Sequence, residues 1–174
     1  LEKGAPGEIA LIAPCSLTAK KLKIPGDLSS AAFFLVAAAL APRGELLLEE
    51  VGVNPTRTGI IDVLQKMGAA IRVLNWREEC GEPVADLLVQ GGRPLTGVEI
   101  NAPLIPRLVD EIPVLAVAAL FAAGETVISG AGELRLKESD RLHALTAELQ
   151  KMGAAIQELP DGLVIKGGQI GRAS

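Results

Sequence analysis

Eight residues, Leu64-Gln65-Lys66-Met67-Gly68-Ala69-Ala70-Ile71, recur letter for letter as Leu149 to Ile156. No other feature constrains the fold as much, because both copies must sit in equivalent local structure. Each reads as a helix end stopped by a glycine, Gly68 or Gly153, that runs into a β-branched stretch. Upstream of each copy lie an apolar helix (Leu28 to Ala41, Leu108 to Ala123), a glycine stop (Gly44, Gly124) and a short strand (Leu46 to Val51, Thr126 to Ser129). Downstream comes a hairpin, Ala70 to Arg77 with Ala85 to Val89 in the first case. In the second it is Ala155 to Leu159 with Leu163 to Lys166, joined by Pro160-Asp161-Gly162.

With leading strands at Lys21 to Ile24 and Val98 to Asn101, this pattern predicts an α/β (α+β) fold of two βαβαββ repeats. They span about residues 20–92 and 97–168, each closed by a Gly-Gly pair. The first helix of each repeat is apolar enough to need cover on nearly all sides. The second carries charge on one face, Arg57 and Asp62 or Glu138, Arg141 and Glu148, so first helices are expected inside and second helices outside. Residues 1–19 fit no repeat position; Glu8 to Ile12 alone is strand-like.

Composition removes several functions. The 49% hydrophobic and 22% charged residues of this 174-residue chain exclude disorder and suffice for one domain's core. Four aromatic side chains (Phe33, Phe34, Trp76, Phe121) argue against base stacking, and a net charge of −4 without a dense basic patch argues against nucleic-acid binding. The longest apolar runs, Ala31 to Pro42 and Ile112 to Ala123, fall short of the roughly 20 residues that cross a bilayer. No membrane role is expected. Leu1 to Lys3 carries no secretory start, so the cytoplasm is the expected location, and the missing initiator Met points to a fragment. Cys15 and Cys80 match no metal-ligand spacing and read as free thiols.

Chemistry concentrates in four segments. Glu133-Leu134-Arg135-Leu136-Lys137-Glu138-Ser139-Asp140-Arg141 packs six ionisable side chains into nine residues at a helix start. With Glu138 or Ser139 near the cap, the helix N-terminus, Lys137 and Arg141 would welcome an anion; a solvated capping arrangement accounts for the same residues. Leu108-Val109-Asp110-Glu111-Ile112-Pro113 sets two carboxylates at the start of an apolar helix. Asp110 fits a plain N-cap, or a base for a substrate hydroxyl. Val53-Asn54-Pro55-Thr56-Arg57-Thr58-Gly59, with Thr56 as the cap, and Gly26-Asp27-Leu28-Ser29-Ser30 read as helix starts that could also take an anion. His143, the only histidine, lies in the charged outer helix with no Ser or Cys partner beside it, so it reads as a surface residue.

Four ordered motifs, Gly26-Asp27-Leu28-Ser29-Ser30-Ala31-Ala32-Phe33-Phe34, Asn54-Pro55-Thr56-Arg57-Thr58-Gly59, Asp110-Glu111-Ile112-Pro113 and Leu136-Lys137-Glu138-Ser139-Asp140-Arg141, resemble the 5-enolpyruvylshikimate-3-phosphate synthase (3-phosphoshikimate 1-carboxyvinyltransferase) family. The resemblance runs from about Lys20 to Gly168. It implies part of the C-terminal domain of an inside-out α/β barrel: buried parallel helices, outer sheets, an absent third repeat, and a missing N-terminal domain that carries half the site. It also implies enolpyruvyl transfer from phosphoenolpyruvate to the 5-hydroxyl of shikimate 3-phosphate, on the route to aromatic amino acids, with no metal or organic cofactor. The family's members bind glyphosate in the phosphoenolpyruvate position.

By the same resemblance, Asp110 matches the acceptor of the 5-hydroxyl proton and Glu138 the glutamate that exchanges protons with the methylene carbon. Lys137 matches a lysine at shikimate 3-phosphate, Arg141 an arginine on phosphoenolpyruvate, and Glu133 a position near the substrate. The isolated chain is expected to be inactive and prone to self-association. The alternatives are the related enolpyruvyl transferase that acts on a UDP-amino sugar (UDP-N-acetylglucosamine), against which the Lys-Glu-Ser-Asp-Arg motif speaks, and a non-catalytic binding or assembly module.

Overall fold

A computed structural model describes residues 2–3, 9–10, 18–19 and 21–168 of the chain. Strands β1 (Glu2–Lys3) and β2 (Ile9–Ala10) pair antiparallel. The rest of the strand-like Glu8 to Ile12, Cys15 and the tail after Gly168 lie outside the described residues.

Then follow α1 (Leu28–Leu40), β3 (Glu45–Gly52), α2 (Gly59–Lys66), β4 (Ala70–Glu79) and β5 (Glu82–Gln90). The second half comprises β6 (Glu99–Ile100), α3 (Ile112–Phe121), β7 (Glu125–Ile128), α4 (Arg141–Lys151), β8 (Ala155–Leu159) and β9 (Gly162–Lys166). One antiparallel sheet has the order β3-β5-β4. The other runs β6-β7-β9-β8, with only the β6–β7 pair parallel.

The repeated octapeptide folds the same way twice. Gly68 and Gly153 take φ of +103° and +81°, a region that β-carbons disfavour. Ala69 N–H reaches back to Leu64 O at 2.9 Å, as Ala154 N–H does to Leu149 O at 3.0 Å. Gly68 and Gly153 donate to Gln65 O and Gln150 O, so each helix ends in a Schellman motif. Gln65 and Gln150 then donate to Ile71 O and Ile156 O, stapling each helix end to its following strand.

Helices α1 and α3 contain no charged residue, and they pack on each other in one shared core. Leu35, Ala32, Ile112, Ala116 and Ala118 are 0% exposed. Cover on nearly all sides is not what α1 receives: Phe33 and Phe34 stand 63% and 58% exposed. Phe33 lines an apolar groove with Leu40, Pro113, Val117 and Leu145. The outer helices bury one face each, Ile60, Ile61, Val63 and Leu64 of α2 and Leu142, Thr146 and Leu149 of α4.

Other expectations need correcting. Lys21 to Ile24 forms no strand; Leu22 and Ile24 project into solvent, and pairing with β3 shrinks to one parallel bridge, Gly26 to Val51. Pro25, which has no N–H to donate, separates the two. The second inner helix starts at Ile112 rather than Leu108. Residues Ile105–Arg107 and Val109–Glu111 form 3-10 turns instead, broken by Leu108 at φ −154°. Among the described residues no helix is long and apolar enough to cross a membrane.

Candidate active site

The second 3-10 turn delivers Asp110 to the rim beside α3, and a third, Gly132–Leu136, delivers the charged segment that precedes α4. Leu134 is 0% exposed and roots that third turn in the core, which leaves Glu133 exposed and Lys137 half-buried at the rim. Arg135 is drawn the other way. Its guanidinium binds Pro160 O, Leu159 O, Asp140 and Glu158, all within 2.6 to 2.7 Å.

The helix cap falls on Asp140, not on Glu138 or Ser139, because Asp140 Oδ1 accepts from His143 N–H at 3.0 Å. That N–H, then Arg135, holds the Asp140 carboxyl below its ordinary range, and Arg135 does the same chiefly by hydrogen bonding to Glu158. His143, exposed as expected, rests its Nδ1 3.1 Å from Glu158 Oε2. Arg135, Asp140, His143 and Glu158 thus form a structural clamp, which leaves Glu133, Lys137, Glu138 and Arg141 free of it.

Two of those four, Lys137 and Arg141, reach Asp110, and Glu133 and Glu138 pair with them. Lys137 Nζ lies 3.9 Å from Asp110 Oδ1 and 3.4 Å from Glu133 Oε1. Arg141 Nη1 lies 3.5 Å from the same Asp110 oxygen, and Nη2 is 2.8 Å from Glu138 Oε2. Asp110 caps nothing; Glu111 occupies the N-cap position of α3 and makes no side-chain cap bond. The Glu138 carboxyl is held below its usual range, first by its own backbone N–H and then by Arg141 and Lys137. Lys137 and Arg141 are each shared between two carboxylates on an open surface, so an incoming anion meets cations held only by weak, water-screened pairs.

Sequence reasoning missed a second polar group beneath this rim. Glu111 is 3% exposed; it accepts a hydrogen bond from Ser29 Oγ and lies 3.9 Å from Arg57 Nη2. Arg57 in turn donates to Ser29 Oγ at 2.9 Å. No short-range pattern joins residues 29, 57 and 111. Thr56 is no cap either: Asn54 Oδ1 accepts from Thr56 N–H and Oγ1–H, and α2 begins after Thr58. Asp27 does cap α1, accepting from Ser30 N–H at 2.8 Å and Ser30 Oγ–H at 2.7 Å. Among the described residues no group of His, Cys, Asp or Glu is arranged to hold a metal ion.

A family model described as EPSP synthase (3-phosphoshikimate 1-carboxyvinyltransferase) matches residues 3–174. Two proteins named 3-phosphoshikimate 1-carboxyvinyltransferase are similar over most of the chain. One, from Gloeobacter violaceus, is 60% identical over 91% of this chain and 37% of its own length. The other, from Desulforudis audaxviator, is 59% identical over 92% and 38%. The crystal structure of EPSP synthase from Acinetobacter baumannii superposes with a TM-score of 0.82 at 44% identity, over 85% of this chain and 33% of that one. The enolpyruvyl transferase NikO from Streptomyces tendae, at 19% identity and a TM-score of 0.57, shares the fold. The chain therefore spans little more than a third of the length of its curated relatives.

Proposed function

The chain belongs to the EPSP synthase family, and on that premise we propose that it is part of an enzyme that moves the enolpyruvyl group of phosphoenolpyruvate onto the 5-hydroxyl of shikimate 3-phosphate, releasing phosphate. The observation that carries this reading is the approach of Lys137 and Arg141 to one oxygen of Asp110, at 3.9 and 3.5 Å.

Asp110 takes the 5-hydroxyl proton while that oxygen bonds to C2 of phosphoenolpyruvate, and Glu138 gives a proton to the methylene carbon. In the second step phosphate leaves C2 carrying the proton that Asp110 had taken, and Glu138 takes a proton back from the same methyl carbon, so both carboxyls return to their starting states. Arg141 grips phosphoenolpyruvate with its planar fork, Lys137 contacts shikimate 3-phosphate, and Glu133 lies beside them. Glu138 must be protonated to start, yet its own backbone N–H, then Arg141 and Lys137, hold its carboxyl below the usual range in the free chain. Swinging Arg141 onto the substrate removes one positive charge from Glu138 and brings a negative one near, and both changes raise its pKa.

The finer architecture belongs to the same proposal: two βαβαββ repeats, about 20–92 and 97–168, the first with its leading strand reduced to the bridge at Gly26, forming part of the C-terminal domain of an inside-out α/β barrel. The matching helix ends at Gly68 and Gly153 support it, as do the parallel entries, Gly26 to Val51 and β6 to β7. An N-terminal domain completes the site, no metal or organic cofactor takes part, and the protein works in the cytoplasm. Alone, the chain self-associates through apolar surface left uncovered around Phe33 and Phe34. Calorimetry with the two substrates tests the reading. Binding is expected only when the remaining domain is supplied, and a completed protein that bound neither substrate would overturn it.

A further inference from the structure

The motif Asn54-Pro55-Thr56-Arg57-Thr58-Gly59 takes no part in the site above, yet the segment that bears Asp110 is seated on it. We propose that Arg107 and Glu111 are positioning residues: by gripping this motif and Ser29, they hold the Asp110 carboxylate against Lys137 and Arg141. The inference rests on the reading of Asp110 as the proton acceptor.

Two anchors flank Asp110. On one side, Arg107 Nε donates to Pro55 O at 2.7 Å and Nη2 to Thr58 Oγ1 at 2.8 Å, while Nη1 pairs with Asp62 Oδ2 at 2.8 Å. On the other, buried Glu111 accepts from Ser29 Oγ and faces Arg57. Gly59 permits the approach: a β-carbon there would come within 2.9 Å of both Arg107 O and Leu108 Cδ2. Between the anchors the backbone has little stiffness of its own. Its 3-10 bonds, Leu108 N–H to Ile105 O and Glu111 N–H to Leu108 O, close single turns. The direction of Asp110 is therefore set by what holds residues 107 and 111, both fastened to the first half of the chain, while Lys137 and Arg141 come from the second. Proton transfer tolerates little misplacement of the acceptor, so these contacts bear on chemistry without touching substrate.

Zero-length coupling reads this placement. A water-soluble carbodiimide activates a carboxylate, and a neighbouring amine displaces the urea to form an amide. Asp110–Lys137, at 3.9 Å, is the reporter, and Glu133–Lys137, at 3.4 Å, the internal reference. Both are quantified as crosslinked peptides by mass spectrometry, in buffer where urea unfolding curves show each variant folded. In Glu111→Gln and Arg107→Met the reporter-to-reference ratio should fall about tenfold, the factor given by roughly 1.4 kcal/mol of lost preference for the seated turn. Arg107→Lys, which keeps a cation near Asp62, should recover part of it. A role in stability alone would shift the unfolding midpoint and leave the folded protein's ratio unchanged. That result in either folded variant overturns the proposal. If Glu111→Gln does not fold, Arg107→Met at the surface decides. No substrate enters the readout, so an unchanged ratio leaves the transferase reading intact. Full activity of an Asp110→Asn complete protein would sink that reading without touching the placement.

Discussion

Replacing Gly59 with alanine pits two opposed effects against each other. Alanine favours helix over glycine by at most about 1 kcal/mol, and less at the first helical position. Its β-carbon, however, would lie 2.9 Å from Arg107 O, 2.9 Å from Leu108 Cδ2 and 3.0 Å from Leu108 Cβ. Normal carbon contacts begin at roughly 3.5 Å, so the turn must retreat by about half an ångström. Leu108 is 1% exposed, and its neighbours leave no room for that retreat. Overpacking of this kind costs about 1–3 kcal/mol, and set against a helix gain of about 0.5 kcal/mol at this position it leaves a net loss of about 0.5–2.5 kcal/mol. In a domain of this size that lowers Tm by roughly 1–10 °C. Urea unfolding followed by circular dichroism measures it, with an unchanged m-value as the check on two-state behaviour. Gly153→Ala provides the contrast: nothing lies within 4 Å of its added carbon, and only φ +81° penalises it. A Gly59→Ala protein as stable as the parent, or more so, would refute the steric reasoning.

Asp27 contributes to pH dependence. The Ser30 hydroxyl, then its N–H, holds this carboxyl below the ordinary range. A carboxyl depressed by folding stabilises above its unfolded pKa of roughly 4, and that contribution is lost as pH falls through the folded value. The stability gap between the parent and Asp27→Asn, measured by urea unfolding from neutral pH downward, should narrow on acidification; a widening gap would contradict the assignment. Leu115→Ala, at a site 1% exposed in α3, should cost about 2–5 kcal/mol in the same assay, and a loss below about 1 kcal/mol would show that α3 is not packed on all sides there. The isolated chain should release no phosphate from phosphoenolpyruvate and shikimate 3-phosphate, and turnover at the rate of a complete protein would contradict the split site.

Much of the framework was legible because it rests on local rules. The duplicated octapeptide revealed two helix ends that share one capping pattern, since glycine and its position dictate that geometry wherever it occurs. The apolar runs located α1 and α3 for the same reason. Local rules failed where a distant partner decides. Leu22 and Ile24 have strand-forming side chains, yet both project into solvent and the segment joins β3 only at Gly26, so their propensity went unused. Leu108 to Glu111 lead straight into the apolar run of α3, yet with Arg107 and Glu111 anchored to distant residues they form 3-10 turns. The bulges opposite Asp86 in β3 and opposite Ala85 in β4, where Glu50 and Asn75 adopt positive φ, carry no sequence mark. Glu111 with Ser29 and Arg57 is legible only in three dimensions. Asp110 and the Lys137–Arg141 segment were each open to a capping explanation in sequence, and it was folding that removed it for Asp110.

The proposed chemistry divides its proton transfers between two carboxylates. In the complete protein, steady-state phosphate release by Asp110→Asn and by Glu138→Gln should each show kcat reduced by about 10²–10⁴-fold, with unfolding midpoints held near the parent's. Normal turnover in both would contradict it.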